Sequence, residues 1–289
     1  MPSPRDLRRR IRSISSTSQI TRAMQLVAAS KMRKAQQSTL LTRPFGQLLY
    51  RIQRHATTHA HNFSHPLLEV REVRKRGVIL VGTDKGLCGS LNTNLFRAAS
   101  QFDPATTLYI AVGKRAGQFV ARTRRQLVAE FTCTDSPRFT EAWPIAAFAR
   151  DMFIKGEVDE VQVVGTQFIN TLSQRPVTAE FLPIGEIKGV RIGGSESEAD
   201  LAADAEVVFE PSPEAVLEFL FEHYLNIYMY RVLLDAKASE QSARMVAMTN
   251  ATDNATALIR DLTLEYNKLR QGNITKELLE IAGGQLGNN

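Results

Sequence analysis

The sequence predicts an α/β chain in which two long terminal helices pair as an antiparallel coiled coil and a separate α/β domain is inserted between them. Three observations carry that expectation. The stretch from Glu214 to Gln271 contains neither Gly nor Pro. Its apolar residues recur in unbroken 4-3 spacing, the signature of a helix that supercoils against a partner. Residues 77 to 183 instead alternate short β-branched runs with helical stretches, as βαβ units do.

The N-terminal helix comes first. Residues 5 to 43 are free of Gly and Pro and place Leu7, Ile11 and Ile14, then Ile20, Met24, Val27 and Ala28, at helical intervals. The helix begins after Pro4, and the pattern continues past Pro44 through Leu48, Leu49 and Ile52, where the proline permits a bend. An Arg-rich, Ser-rich, acid-poor start also fits a mitochondrial transit peptide. Removing it would leave the C-terminal helix without its mate, which argues for the helix. Four histidines follow, His55, His59, His61 and His65. His55 and His59 would share a helix face as metal ligands can, yet no acidic or cysteine neighbour completes a site. The segment reads as a solvated helix end entering a loop at Pro66.

Runs at Val78–Val81, Leu108–Val112 and Val161–Val164 alternate with helical stretches near 91–100, 114–123 and 141–155. They predict a mostly parallel sheet covered by helices, a Rossmann-like three-layer domain. Val177–Leu182 adds an edge strand, and Gly189–Asp204, rich in Gly and acids, reads as an exposed loop. The last helix carries the seam Leu220, Tyr224, Ile227, Arg231, Leu234, Ala238, Gln241, Met245, Met248, Thr252, Ala255, Ile259, Leu262, Tyr266 and Leu269, of which twelve of fifteen are apolar. Such a rod approaches roughly 100 Å at 1.5 Å per residue. No single core buries that length, so it needs the N-terminal helix and an external sleeve. The expected boundaries are 1–62 for the first helix, 75–205 for the α/β domain and 210–285 for the second helix.

Charge and composition narrow the function. The net charge is +6, but residues 1 to 43 hold ten Lys or Arg against Asp6 alone, so this segment carries +9 and the rest −3. An anionic partner is implied. Nucleic acid is the rival reading, disfavoured because aromatic residues are not interleaved with the basic ones. No apolar run approaches roughly eighteen residues, so no transmembrane segment is expected. The two cysteines, Cys88 and Cys133, are too few for a disulfide framework and fit a reducing compartment.

The segment Gly82-Thr83-Asp84-Lys85-Gly86-Leu87-Cys88-Gly89-Ser90 sits between a strand and a helix, where phosphate loops lie. Lys85 precedes Gly86, however, so the Walker spacing fails, and the dinucleotide fingerprint is absent. A tight turn allowing close approach is the simpler reading. Asp84 and Cys88 lack a nearby histidine for thiol chemistry. No catalytic, cofactor or metal constellation is expected.

Three blocks are similar to the gamma subunit of F-type ATP synthase: Ile20-Thr21-Arg22-Ala23-Met24-Gln25-Leu26-Val27-Ala28-Ala29-Ser30-Lys31-Met32, Thr83 to Gly89, and Ala238-Ser239-Glu240-Gln241-Ser242-Ala243-Arg244-Met245-Val246-Ala247-Met248. Ala251 to Ala255, Tyr266 to Gln271 and Ile274 to Leu278 extend the resemblance over nearly the whole chain. It implies a non-catalytic rotor stalk inside a ring of three alpha and three beta subunits, with the α/β domain carrying the epsilon subunit and standing on the membrane c-ring. It further implies that Arg270 and Gln271 bond a beta-subunit loop, that Met24 and Arg244 meet an acidic beta loop, and that Glu210 faces the c-ring. Lys31 joins the beta contact on charge grounds. Gly272 stands where many relatives have Ala, at about 1 kcal/mol of helix propensity. The inserted cysteine pair of chloroplast relatives is absent, so thiol regulation is not expected. The resemblance begins within the first turns, which favours a mature bacterial chain, peripheral on the cytoplasmic side of the inner membrane.

Overall fold

The computed structural model describes residues 3–59, 65–184 and 212–286. In chain order its elements are α1 (Pro4–His59), a short 3-10 helix (Pro66–Leu68), β1 (Arg76–Val81), α2 (Leu91–Ala99), β2 (Thr107–Val112), α3 (Lys114–Arg122), β3 (Gln126–Phe131), α4 (Phe139–Ile154), β4 (Glu160–Phe168), β5 (Gln174–Leu182) and α5 (Pro213–Leu286). They form two compact units. One comprises Met1–Ala28 with Arg244–Asn289, and the other Ala29–Ala243. Glu210 and the Gly189–Asp204 stretch lie outside the described residues.

Both terminal helices form as the Gly- and Pro-free periodicity dictates, and α1 continues through Pro44. In the larger unit the strands run in the order β3-β2-β1-β4-β5. The first four pair in parallel, and β5, which contains the edge strand expected at Val177–Leu182, closes one edge and runs antiparallel to β4. β1 is central and buried on both faces, hence its uninterrupted apolar run.

Period-two geometry splits β1 between two cores. Ile79 and Val81 pack with Ile145, Ala149 and Phe153 of α4 and with Leu225, Met229 and Leu233 of α5. Val78 and Leu80 pack with Leu95 and Ala99 of α2 and with Ala116 and Val120 of α3. The domain therefore has three layers, and residues 217 to 236 of α5 belong to one of them. The α/β domain draws its cover from beyond the 75–205 range that the alternating pattern marks.

β3 is the element the sequence reading omits. It is a strand edge whose outward residues, Gln126, Val128 and Glu130, are exposed while Ala129 and Phe131 turn inward. At the opposite pole of β1, the Asp159 carboxylate accepts the Arg74 and Lys75 N–H groups at 2.9 Å each and so fixes the strand's entry. Those two backbone bonds hold its pKa below the usual carboxylate value.

At the ends of β1 and β2 the chain passes through two glycines in close apposition. Gly113 adopts φ +91°, and a Cβ there would lie 2.7 Å from the Gly82 carbonyl oxygen. Strain and clash act together at that position. Gly113→Ala is expected to cost about 2 kcal/mol or more of stability, read as a lowered midpoint in chemical or thermal unfolding of the purified chain.

Candidate coupling surface

The smaller unit is a pair of helical segments. At its start Ser3 and Asp6 cap α1: the Ser3 hydroxyl donates to Asp6 Oδ2 at 2.7 Å, and the Asp6 N–H donates back to Ser3 Oγ at 3.2 Å. The Ser3 hydroxyl, together with the Ser3 N–H that donates to the same carboxylate oxygen at 3.3 Å, holds the Asp6 pKa below its ordinary value. Thr21 and Thr252 share a hydroxyl hydrogen bond of 2.7 Å. Thr21 lies seven residues before the unit's α1 boundary at Ala28, and Thr252 eight after its α5 boundary at Arg244, so the segments run antiparallel.

Coverage follows the seam. Beyond Asn250, the partly covered positions are Ala251, Thr252, Ala255, Ile259, Leu262, Tyr266 and Leu269, and the residues between them are exposed. The matching row on α1 is Leu7, Ile11, Ile14, Ser18, Thr21, Gln25 and Ala28, again 4-3 spaced. Two residues assigned to that face by helical interval lie elsewhere: Ile20 is 60% and Val27 54% exposed. The supercoil spacing of 3.5 residues, with Thr and Gln included, selects the true stripe. An apolar-only count misses it.

The rest of this unit's surface is unlike that of an isolated coiled coil. Ile20, Leu26, Val27, Leu258, Leu264, Ile274, Leu278 and Leu279 are all exposed apolar side chains. Arg5, Arg8, Arg9, Arg10, Arg12 and Arg22 stand exposed beside them on α1. Acids and bases balance on the α5 segment, so the pair carries +5 of the chain's +6. Exposed apolar groups within a basic surface describe a face prepared for an acidic, partly apolar partner. The off-seam apolar residues were the signal for it in the sequence.

The expected contact residues occupy distinct environments. Arg270 and Gln271 are exposed, Met24 is partly covered, and Arg244 is buried at 7% exposure. Lys31, in the larger unit, pairs with Asp135 at 2.5 Å, with side chains 36% and 39% exposed. Its charge is thus already answered within the chain. The Lys31 bond holds the Asp135 pKa below its ordinary 3.8.

In the Gly82–Ser90 segment the Thr83 and Asp84 side chains are engaged within the protein. Thr83 Oγ1 donates to the Lys85 carbonyl at 2.8 Å and accepts from Asn92 Nδ2 at 2.8 Å. Asp84 accepts the Lys114 N–H at 3.1 Å. The adjoining cleft, lined by Val81, Asp84, Gly113, Cys133 and Lys237, holds about 10 Å³ of free space, the scale of one water. A nucleotide does not fit. Cys88 and Cys133 are free and buried, and burial together with the Glu141 charge pushes the Cys133 thiol up to about 12. His65 caps the short 3-10 helix, its Nδ1 accepting the Leu67 N–H at 3.2 Å. Burial lowers its pKa. The side chains of His55, His59 and His61 lie outside the described residues. No described helix is long and apolar enough to cross a membrane.

A family model described as ATP synthase matches residues 3–286. Among relatives, the ATP synthase gamma chain of Opitutus terrae is 47% identical over 290 residues, covering 99% of this chain and 98% of its own length. The chain belongs to the ATP synthase gamma family. The gamma chain of Roseiflexus castenholzii is 46% identical, with 98% of each chain covered. The fold is shared with the Euglena gracilis mitochondrial ATP synthase, in a structure of OSCP, F1 and c-ring, at TM-score 0.68, 19% identity and coverage of 98% of this chain and 94% of that one. It is shared also with the Tetrahymena thermophila mitochondrial central stalk and c-ring, at TM-score 0.60, 24% identity and coverage of 80% and 99%.

Two measurements follow from this geometry. Asp135, with its pKa depressed, contributes stability above about pH 4 that is lost as pH falls through its lowered value. Lys31→Met should return the Asp135 titration toward 3.8, visible by carboxyl NMR, while costing less than about 1 kcal/mol at neutral pH because the pair is half exposed. Neither cysteine should react with a thiol reagent at pH 8 in the folded chain, and both should react in denaturant.

Proposed function

We propose that the helical pair turns inside a ring of three alpha and three beta subunits and sets the nucleotide affinity of each beta in turn. The chain is a central-stalk subunit of an ATP synthase rather than its catalytic subunit. One observation carries the proposal: the pair buries only its seam and presents exposed apolar residues on a surface of net +5. A smooth basic and apolar axle inside an acidic sleeve pays little to change its contacts. An asymmetric axle also stabilises a different conformation in each surrounding subunit, so rotation and ATP affinity are coupled through differential binding.

On this reading Arg270 and Gln271, exposed near the end of α5, hydrogen-bond a beta-subunit loop. Met24 and Arg244 form a second beta contact. A guanidinium suits both positions, since it stays charged and pairs bidentately with carboxylates. Lys31 adds to the beta contacts on charge grounds, its ammonium exchanging between Asp135 and a beta carboxylate. The α/β domain carries the epsilon subunit and, with Glu210, faces the c-ring. On this reading the shaft helices are 1–62 and 210–285 and the foot is 75–205, with residues 217–236 of the second helix also completing the core of the foot. The chain is peripheral, on the cytoplasmic side of a bacterial inner membrane, and uses no cofactor of its own.

The test mixes matched alpha and beta subunits with and without this chain, then measures ATP hydrolysis and separates the mixture by gel filtration. A complex with one copy per three beta subunits and sharply raised hydrolysis is expected. No complex and unchanged activity would defeat the proposal and send the basic helix to a nucleic-acid binding assay. Within the complex, Arg270→Glu should lower hydrolysis roughly thirtyfold or more, since reversing a paired charge costs about 2 kcal/mol or more. Full activity with normal assembly would remove Arg270 from the contact.

A further inference from the structure

Between Lys237 and Ser242, helix α5 buries Lys237, Ser239, Glu240, Gln241 and Ser242, none more than 5% exposed. An apolar stretch would pack there at lower desolvation cost. These polar groups are directed outward from α5 on two sides. On one, the Lys237 ammonium lies 3.1 Å from Glu240 Oε2 and 3.5 Å from Asp84 Oδ2, whose other oxygen takes the first N–H of α3. On the other, Ser239 donates to the Thr166 carbonyl at the end of β4, and Ser242 donates to the Thr171 carbonyl at 2.7 Å and accepts from Gln174.

The hydrophobic driving force is itself non-directional, and interdigitated apolar side chains oppose the turning of a helix only through their shape. Hydrogen bonds and ion pairs fix direction as well as distance. Bonds on opposite sides of α5 therefore resist rotation against the sheet. We propose that Lys237, clamped between Asp84 and Glu240, is a positioning residue that locks α5 in rotation to the α/β domain, so that twist applied to the domain reaches the helix without slip. This rests on the stalk reading above. Burial pulls the Lys237 pKa down, but the Glu240 and Asp84 carboxylates outweigh it and hold the value above its ordinary one, so the ammonium stays charged. Asp135, also close enough to act on it, adds to the same effect.

The experiment uses the whole ATP synthase in membrane vesicles, comparing ATP-driven proton pumping, by quenching of an acridine dye, with ATP hydrolysis by the same vesicles. Lys237→Met removes the charge at similar volume, Asp84→Asn keeps the shape and the α3 contact, and Glu240→Gln removes one of the two carboxylates. Pumping per ATP should fall at least threefold in Lys237→Met and Asp84→Asn, less in Glu240→Gln, with hydrolysis retained. A merely structural role would lower both activities together and leave their ratio unchanged. An unchanged ratio in assembled variants overturns the proposal. So does failure of Lys237→Met to assemble while the other two pump normally, or failure of all three. If the unaltered chain itself forms no complex with alpha and beta, it is the stalk reading that has failed.

Discussion

A helix of 74 residues has more surface than any one core can cover, and α5 meets that constraint by changing its surroundings along its length. From Leu217 to Ala236 it supplies apolar side chains to the α/β core. From Lys237 to Ser242 it exchanges apolar contacts for directed polar ones. Beyond Asn250 it covers a single stripe. Each environment needs a different residue pattern, and the helix carries all three without a break because no Gly or Pro interrupts it before Gly272.

The division of labour follows from what each kind of contact does. The α/β core is dry and close-packed on both faces of β1, which makes it a rigid body. Among the described residues the helical pair is held together by a narrow seam and the Thr21–Thr252 hydroxyl bridge, and its remaining surface, basic and partly apolar, is left for others. A subunit that couples motion to nucleotide affinity requires both properties: an internal structure that does not yield, and an outer surface whose contacts are weak enough to be exchanged.

The glycine turn after β1 illustrates how a motif can mislead. Its position suits a phosphate, but its spacing does not, and the structure uses Asp84 and the glycines to bring α3 and α5 against the strand ends. Lys237 gave no signal in the sequence, since a lysine on a long helix is ordinarily solvated. β3 was illegible for a related reason: as an edge strand it needs apolar residues on one side only, and Gln126 and Glu130 dilute its pattern.

Both terminal helices, a mostly parallel sheet, the edge strand at Val177–Leu182 and the 4-3 seam of α5 were legible in the amino-acid order alone, because these depend on local propensity and on periodicities of 3.5 and 2 that survive in any window. The family was legible too, in blocks of specific residues. The folded arrangement was needed to place Ile20 and Val27 outward, to bring α5 into the α/β core, to pair Lys31 with Asp135, to turn the edge strand antiparallel to β4 and to bury Lys237 between two carboxylates. Those facts depend on which surfaces distant segments cover, and a partner a hundred residues away leaves no periodic trace in the chain that meets it.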